Sequence, residues 1–364
     1  VTTAPNILDL TPNELRERLA AMALPGYRAD QILRWLYQRY VTAYADMTDL
    51  PADLRARLSA ELPLVVPPVI AERRSADGST LKALLRLDAA TEVETVLMSY
   101  DPTGYSRGRD TVCISTQAGC AMGCTFCATG QQGFLRNLGP GEIVAQVLHF
   151  ARELAVEGRR LSNVVFMGMG EPLANYANTL AAIRILTDPR AFALSPRRIT
   201  VSTVGLVPAI RRLAGEGLPV GLAVSLHSPD DDVRRRLVPT ARSSVREIVA
   251  AADAYGAATG RRYTVEYALI DHVNDGLDLA HRLAALLHGR QCHVNLIPVN
   301  PTANGSTRRP SRDRVLAFER TLAAGGVNVT VRAEKGIDIA AGCGQLRGEQ
   351  QGMRGREEQP LPLA

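Results

Sequence analysis

The sequence predicts an α/β chain: a partial (βα)6 barrel, preceded by a small N-terminal helical domain and a short β extension. Three observations carry that prediction. Helical patterning fills residues 1–66, extended runs follow in 67–110, and short β-branched runs alternate with helical stretches through 111–346. The remaining residues, 347–364, are polar and glycine-rich and read as a flexible tail.

Each element has a local cause. Thr11-Pro12-Asn13-Glu14 offers an N-cap, proline at the first helical position and glutamate at the third, which is a capping box. In the helix read from Arg28 to Tyr40, the residues Ile32, Leu33, Leu36 and Tyr37 share one face, and Arg28, Arg34 and Arg39 lie off it. Pro51 opens a third helix over Ala52 to Leu62, and Pro63 to Pro68 reads as the linker out. Extended runs follow at Val69-Ile70, Thr80–Leu87 and Val93–Met98, with a turn at Asp77-Gly78. The barrel strands are expected at Thr111–Gln117, Asn163–Met167, Arg198–Thr203, Val220–His227, Tyr263–Leu269, His293–Ile297 and Val327–Val331. Helices between them are expected at Glu142–Ala155, Leu180–Leu186, Val245–Tyr255 and Leu279–Leu287. That is too few units for a closed eight-fold barrel, which makes the barrel partial.

Alternation within the strands points to a polar lumen. Val112 and Ile114 oppose Cys113, Ser115 and Gln117; Ile199 and Val201 oppose Thr200 and Ser202. Leu222, Val224 and Leu226 oppose Ala223, Ser225 and His227, and Val294 and Leu296 oppose His293 and Asn295. A parallel strand covered on both faces is apolar throughout. Here one face repeatedly carries small or polar groups, as a barrel holding a polar ligand requires.

Composition sets the class of protein. Of 364 residues, 46% are hydrophobic and 22% charged, which excludes a disordered or fibrous chain. The net charge is +5, and among the 42 basic residues only Lys82 and Lys335 are lysine. Arginine's planar fork suits phosphate and stacked bases, so the excess fits RNA. A codon bias spread over a solvated surface would give the same numbers. No run approaches the ~20 apolar residues of a membrane span, and Val1 to Leu10 show no secretory pattern. The six cysteines, three of them crowded together, suit a reducing cytoplasm.

Those three cysteines carry the chemistry. Cys120, Cys124 and Cys127 have the spacing Cys-x3-Cys-x2-Cys in a glycine-bearing loop after the first barrel strand. Such thiolates suit an iron–sulfur cluster, and three ligands leave one iron of a four-iron cluster open. A zinc knuckle is the competing reading, but structural zinc takes four ligands and no second cysteine pair follows. An open iron that binds S-adenosylmethionine (SAM) is the mark of radical-SAM enzymes, and this motif is similar to theirs. The second barrel strand ends in Met167-Gly168-Met169-Gly170-Glu171-Pro172, where glycines admit a ligand and a carboxylate can face an ammonium. Ser202, Ser225 and His227 fall on the lumen side, placed for the ribose and carboxylate of SAM, although a lone histidine is often purely structural.

Further motifs narrow the resemblance. Cys113-Ile114-Ser115-Thr116-Gln117, the run Phe126 to Phe134, Arg136-Asn137-Leu138, Met167 to Leu173, Ser225-Leu226-His227, Asn295-Leu296-Ile297-Pro298 and Gly342 to Leu346 together resemble the RlmN family. Tyr27 to Gln31 and Met47 to Pro51 resemble that family's N-terminal helices. The family comprises radical-SAM dual-specificity methyltransferases that act on carbon 2 of an adenosine in 23S rRNA and in tRNA. The resemblance implies a 4Fe–4S cluster on Cys120, Cys124 and Cys127 and two SAM molecules per turnover. It makes Cys343 the methyl-carrying cysteine, Cys113 its partner thiol and Glu94 a proton acceptor. Gly170, Glu171, Ser202, Ser225, Leu226, His227 and Asn300 match the SAM contacts. It also implies an electron donor such as flavodoxin or ferredoxin, and no membrane partner. A sister enzyme that methylates carbon 8 shares the cluster and both reacting cysteines, and a non-catalytic iron–sulfur or zinc RNA-binding protein would share the loop alone. Cys292 has no expected role beyond packing.

Overall fold

The fold is seen in a computed structural model that describes residues 5–102, 108–300, 307–332 and 335–346. The tail expected over 347–364 lies outside the described residues.

Three helices come first: α1 (Pro12–Ala21), α2 (Tyr27–Tyr37) and α3 (Ala52–Glu61). The capping box at Thr11 and Glu14 forms as the sequence predicts. Ala29, Ile32, Leu33, Leu36 and Tyr37 are the buried face of α2, and Arg34 and Arg39 are exposed. Arg28 and Arg39 lie over the rings of Tyr27 and Trp35, each 4.9 Å from the centroid.

An antiparallel unit follows: β1 (Val69–Arg74), β2 (Thr80–Arg86) and β3 (Glu92–Tyr100). It joins the barrel sheet directly, because β3 pairs antiparallel with β4 (Arg109–Cys113) in the register Val96↔Cys113. The chain then makes a small hairpin, β5 (Gln117–Gly119) and β6 (Phe134–Asn137), around the cysteine loop and the short helix α4 (Ala128–Gln132).

The remaining elements alternate. They are α5 (Pro140–Val156), β7 (Asn163–Phe166), α6 (Tyr176–Thr187), β8 (Ile199–Thr203), α7 (Val207–Ala214), β9 (Gly221–Ser225) and α8 (Asp231–Leu237). After them come α9 (Val245–Thr259), β10 (Tyr263–Leu269), α10 (Leu277–Leu287), β11 (Cys292–Pro298), α11 (Arg312–Ala324) and β12 (Val329–Val331). All ten strands outside the hairpin form one sheet, ordered β1-β2-β3-β4-β7-β8-β9-β10-β11-β12, with every pairing from β4 to β12 parallel. The six βα units expected from the sequence are therefore present, closed by the last strand rather than by a ring.

One expected strand is shorter than predicted, with a consequence for the site. The strand read over Thr111–Gln117 stops at Cys113. Beyond it, Ser115 and Gln117 leave the lumen and become supports. Ser115 Oγ donates to the Glu94 carbonyl (2.7 Å) and accepts from Met169 N–H (2.8 Å), and Gln117 Oε1 accepts from Glu171 N–H (2.9 Å). Gln146 of α5, fully buried, grips the same point: its Oε1 accepts from Ser115 N–H (2.7 Å) and its Nε2 donates to Ser115 C=O (2.9 Å). Gln146→Ala would leave both backbone groups unpaired in a dry site. We expect a loss of about 2 kcal/mol in urea unfolding. A change within about 0.5 kcal/mol would show that this fork does not fix the strand end.

Candidate active site

Two adjoining cavities open at the carboxyl ends of the parallel strands. The first is lined by Cys113, Cys343, Tyr100, Asn300, Arg332 and Lys335, among others. The second is lined by Cys120, Cys124 and Cys127 together with Glu171, Ser202, Ser225 and His227. Cys127, Met167, Arg332 and Cys343 line both. Cys343 thus stands on the wall between a three-thiol chamber and a chamber holding a second, separate thiol.

The three loop thiols answer the cluster expectation. All are sheltered, and burial pushes the Cys120 thiol up to about 12, with the neighbouring thiol of Cys127 and the carboxylate of Glu171 adding to the rise. Burial likewise raises Cys124 and Cys127, and in Cys124 both other loop thiols add to the rise. Three mutually repelling buried thiols disfavour the thiolate until cationic iron supplies the missing charge, which deprotonates them outright. Three thiol donors on one loop, with no fourth donor in it, fit a four-iron cluster that keeps one iron open.

The glycine-carboxylate loop is built as the motif requires. Gly170 has φ +98°, and a Cβ there would meet Gln117 Cβ at 2.5 Å, so only glycine lets the loop lie on β5. Glu171 lines the second cavity, but its carboxylate is already engaged. Oε1 accepts from Leu173 N–H (3.0 Å) and Oε2 from Val204 N–H (2.8 Å), while burial still pushes the carboxyl up to about 7. Its first task is to knot the β7 and β8 loops together.

The other expected contacts divide. Ser202 and Ser225 face each other across adjacent strands, Oγ to Oγ 3.4 Å, and both line the second cavity. His227 joins them with a left-handed φ of 62°. Its Nδ1 accepts from Ala268 N–H (3.0 Å), and burial, aided by Arg234, depresses it to about 3. The imidazole is therefore neutral with its proton on Nε2. The structural reading is met by the bond to Ala268, and the ring also lines the second cavity. Leu226 points the other way, fully buried in the apolar layer, so only its backbone faces the strand ends. Asn300 lies in the first cavity, apart from the serine–histidine group.

Glu94 is almost fully buried and lines neither cavity. It sits on β3 two residues before Val96, the partner of Cys113, and pairs with Lys82 Nζ at 2.9 Å. Cys113 is buried, which pushes its thiol up to about 12; Cys343 raises it further, and Arg332 opposes the rise.

Sequence reading missed several charged neighbours. Glu266 of β10 lines the second cavity, with Oε1 accepting from Asn295 Nδ2 (3.2 Å) and Oε2 buried without a hydrogen-bond partner. The alternation that found Ser225 would have found Glu266, its register partner, in Tyr263–Leu269. Arg234, fully buried on α8, donates to the Val204 carbonyl and lies near Cys124 and His227. Arg234 is the first arginine of a three-arginine run that reads as a solvated face.

His227 generates a pH prediction for the cluster-free chain. Below its ordinary 6.5 the unfolded chain binds a proton that the native imidazole refuses down to about 3, so this residue makes stability fall as pH drops through that window. Glu171, raised to about 7, acts with opposite sign above its ordinary 4.5. Asparagine can mimic the Nδ1 acceptor and tolerates a left-handed backbone. The difference in urea midpoint between the parent and His227→Asn should therefore shrink, or reverse, as pH falls from neutrality. A pH-independent difference would refute the neutral imidazole.

Comparison with known proteins agrees with this geometry. Residues 114–283 match the model of the radical SAM superfamily, and residues 5–63 match that of the ribosomal RNA large subunit methyltransferase N-terminal domain. The chain is 49% identical over 341 residues to "Ribosomal RNA large subunit methyltransferase N" of Nitrosopumilus maritimus, spanning 93% of this chain and 97% of that protein. It is 51% identical over 366 residues to "Probable dual-specificity RNA methyltransferase RlmN" of Frankia casuarinae, spanning 98% of this chain and 85% of that one. The crystal structure of a radical SAM methyltransferase from Sphaerobacter thermophilus superposes with a TM-score of 0.91 at 50% identity, covering 94% of this chain and 99% of that one.

Proposed function

The chain belongs to the RlmN family of radical-SAM RNA methyltransferases, and on that premise we propose that it methylates carbon 2 of an adenosine in 23S rRNA and in tRNA. The observation that carries the proposal is the position of Cys343 on the wall shared by the two cavities. Carbon 2 of adenine is an electron-poor C–H carbon that simple displacement by a methyl cation donor does not reach. The methyl group therefore travels on sulfur first.

A four-iron cluster on Cys120, Cys124 and Cys127, with SAM at its open iron, supplies a 5′-deoxyadenosyl radical when bound. Ser202, Ser225, His227, Gly170 and Glu171 orient SAM from the second cavity, with the Nε2–H of the neutral imidazole as a donor. Cys343 takes a methyl group as a thiolate nucleophile and presents it to the second cavity. It then carries the activated carbon to a base splayed into the first cavity, as base-modifying enzymes require. Addition to carbon 2 forms the new C–C bond and leaves a radical that gives up one electron to the electron carrier. Glu94, buried on β3 behind the first cavity, is the proton acceptor for carbon 2, with Lys82 as its counter-charge. Cys113, as its thiolate, attacks the Cys343 sulfur; the S–S bond forms as the S–CH2 bond breaks, and the electron pair left on the base side takes a proton to give the methyl group and free the RNA. Asn300, in the first cavity, borders the same transfer. A flavodoxin- or ferredoxin-like donor in the cytoplasm would supply electrons.

Arg28, Arg34 and Arg39 of the N-terminal helices suit phosphate contact, since two are exposed and two are backed by aromatic rings.

Cys343→Ala should give no methylated RNA and no methyl label on the protein after anaerobic reconstitution. Cys113→Ala should trap a covalent protein–RNA adduct on denaturing gels, and clean turnover there would remove its resolving role. Mass spectrometry of nucleosides from the parent reaction should find 2-methyladenosine, whereas 8-methyladenosine would assign the chain to the sister chemistry. Changing Arg28, Arg34 and Arg39 together to Gln should lower the salt slope of RNA binding by about 2 while sparing SAM cleavage. An unchanged slope would move the RNA contact elsewhere.

A further inference from the structure

The two lysines of this chain converge on one segment. Arginine fills every other of the 42 basic positions, so whatever favours arginine here has been resisted only at Lys82 and Lys335. Lys82 Nζ, almost fully buried, lies 2.9 Å from Glu94 Oε1 and donates to the Ala340 carbonyl at 3.4 Å. Lys335 Nζ donates to the Ser99 carbonyl at 2.9 Å and sits 4.8 Å from the centre of the Tyr100 ring. One ammonium reaches from β2 into the segment that leads to Cys343, and the other reaches from that segment back to β3.

The contact between the two parts is close along its length. Asp338 Oδ2 accepts from Ala76 N–H at 2.8 Å. Gly336 has φ +65°, and a Cβ there would meet Thr80 Cγ2 at 2.8 Å, so the segment lies flat on β2. After Cys343 the anchor changes: Gly344 C=O accepts from Ala128 N–H (2.7 Å) and Leu346 C=O from Thr129 Oγ1 (2.6 Å), both beside the cysteine loop. Cys343 is therefore slung between the β extension and the cluster loop.

We propose that Lys82 and Lys335 are positioning residues for Cys343, pinning its segment to the β extension so that its sulfur faces both cavities. The inference rests on the reading of Cys343 as methyl carrier. At Lys82 an ammonium is required because the site offers point acceptors in little space, whereas the half-exposed Lys335 holds the segment through the Ser99 carbonyl and the Tyr100 ring. A guanidinium is planar and wider, with five donors needing their own partners, and at Lys82 it would push Ala340 and Glu94 apart. Glu94 is thereby fixed relative to the cysteine it is proposed to serve.

The test uses the full-length, cluster-loaded enzyme with an unmodified RNA transcript, comparing Lys82→Arg and Lys335→Ala with the parent. Misplacing a reacting group by about 1 Å costs up to about a hundredfold. Each variant should therefore make methylated adenosine at least about tenfold more slowly. The ratio of 5′-deoxyadenosine released to adenosine methylated should rise by a similar factor, at unchanged iron content. Parent-like rate and ratio in both variants overturn the proposal. So does a parallel loss of both products at constant ratio, which marks a purely structural role. If Lys82→Arg fails to load iron, Lys335→Ala, at a half-exposed position, decides alone. A parent enzyme that never carries a methyl group on Cys343 overturns the functional reading instead.

Discussion

Under the proposed function, one sulfur atom has to meet a methyl donor, a radical, a nucleobase and a second thiol in turn. That requirement places Cys343 on a partition, with the three-thiol chamber on one side and Cys113 on the other. A partial barrel suits the requirement because its sheet does not close. The β extension continues the sheet past β4, and the segment leading to Cys343 lies against that extension. In a closed ring no strand pair would be left over to receive it.

The electrostatics around the partition are built by burial. Glu171 and Glu266 are both pushed towards their neutral forms by desolvation, while Arg332 is raised chiefly by the neighbouring Cys343, with Glu266, Tyr100 and Cys113 adding to the rise. Arg332 lines both chambers. A cation bound in the second chamber would favour the charged forms of both carboxylates. In the first chamber Arg332 opposes the rise that burial imposes on the Cys113 thiol.

Much of this was legible in the sequence wherever the information is local. Alternation in Arg198–Thr203 and Val220–His227 located Ser202 and Ser225, because a side chain's face follows from strand parity, whereas His227, two residues past the end of β9, reaches the same cavity on a left-handed backbone. The same rule failed at Ser115 and Gln117, since parity holds only while the strand continues and this one ends at Cys113. The cysteine spacing and the Gly170-Glu171 turn were readable as motifs, yet the commitment of Glu171 to Val204 and Leu173 was not. Those contacts depend on how two loops from different strands meet. The pairing of Lys82 with Glu94 was equally hidden. It arises from an antiparallel register that no residue type announces.

The scarcity of lysine has a practical side. Acylating reagents and the enzymes that acetylate or conjugate ε-amines find two side-chain targets in this polypeptide, and one of those is walled in. The other rests on an aromatic ring at the edge of the sheet. Amine-directed labelling, which on most proteins scatters over the whole exterior, here becomes a local gauge of whether the segment leading to Cys343 is seated or lifted.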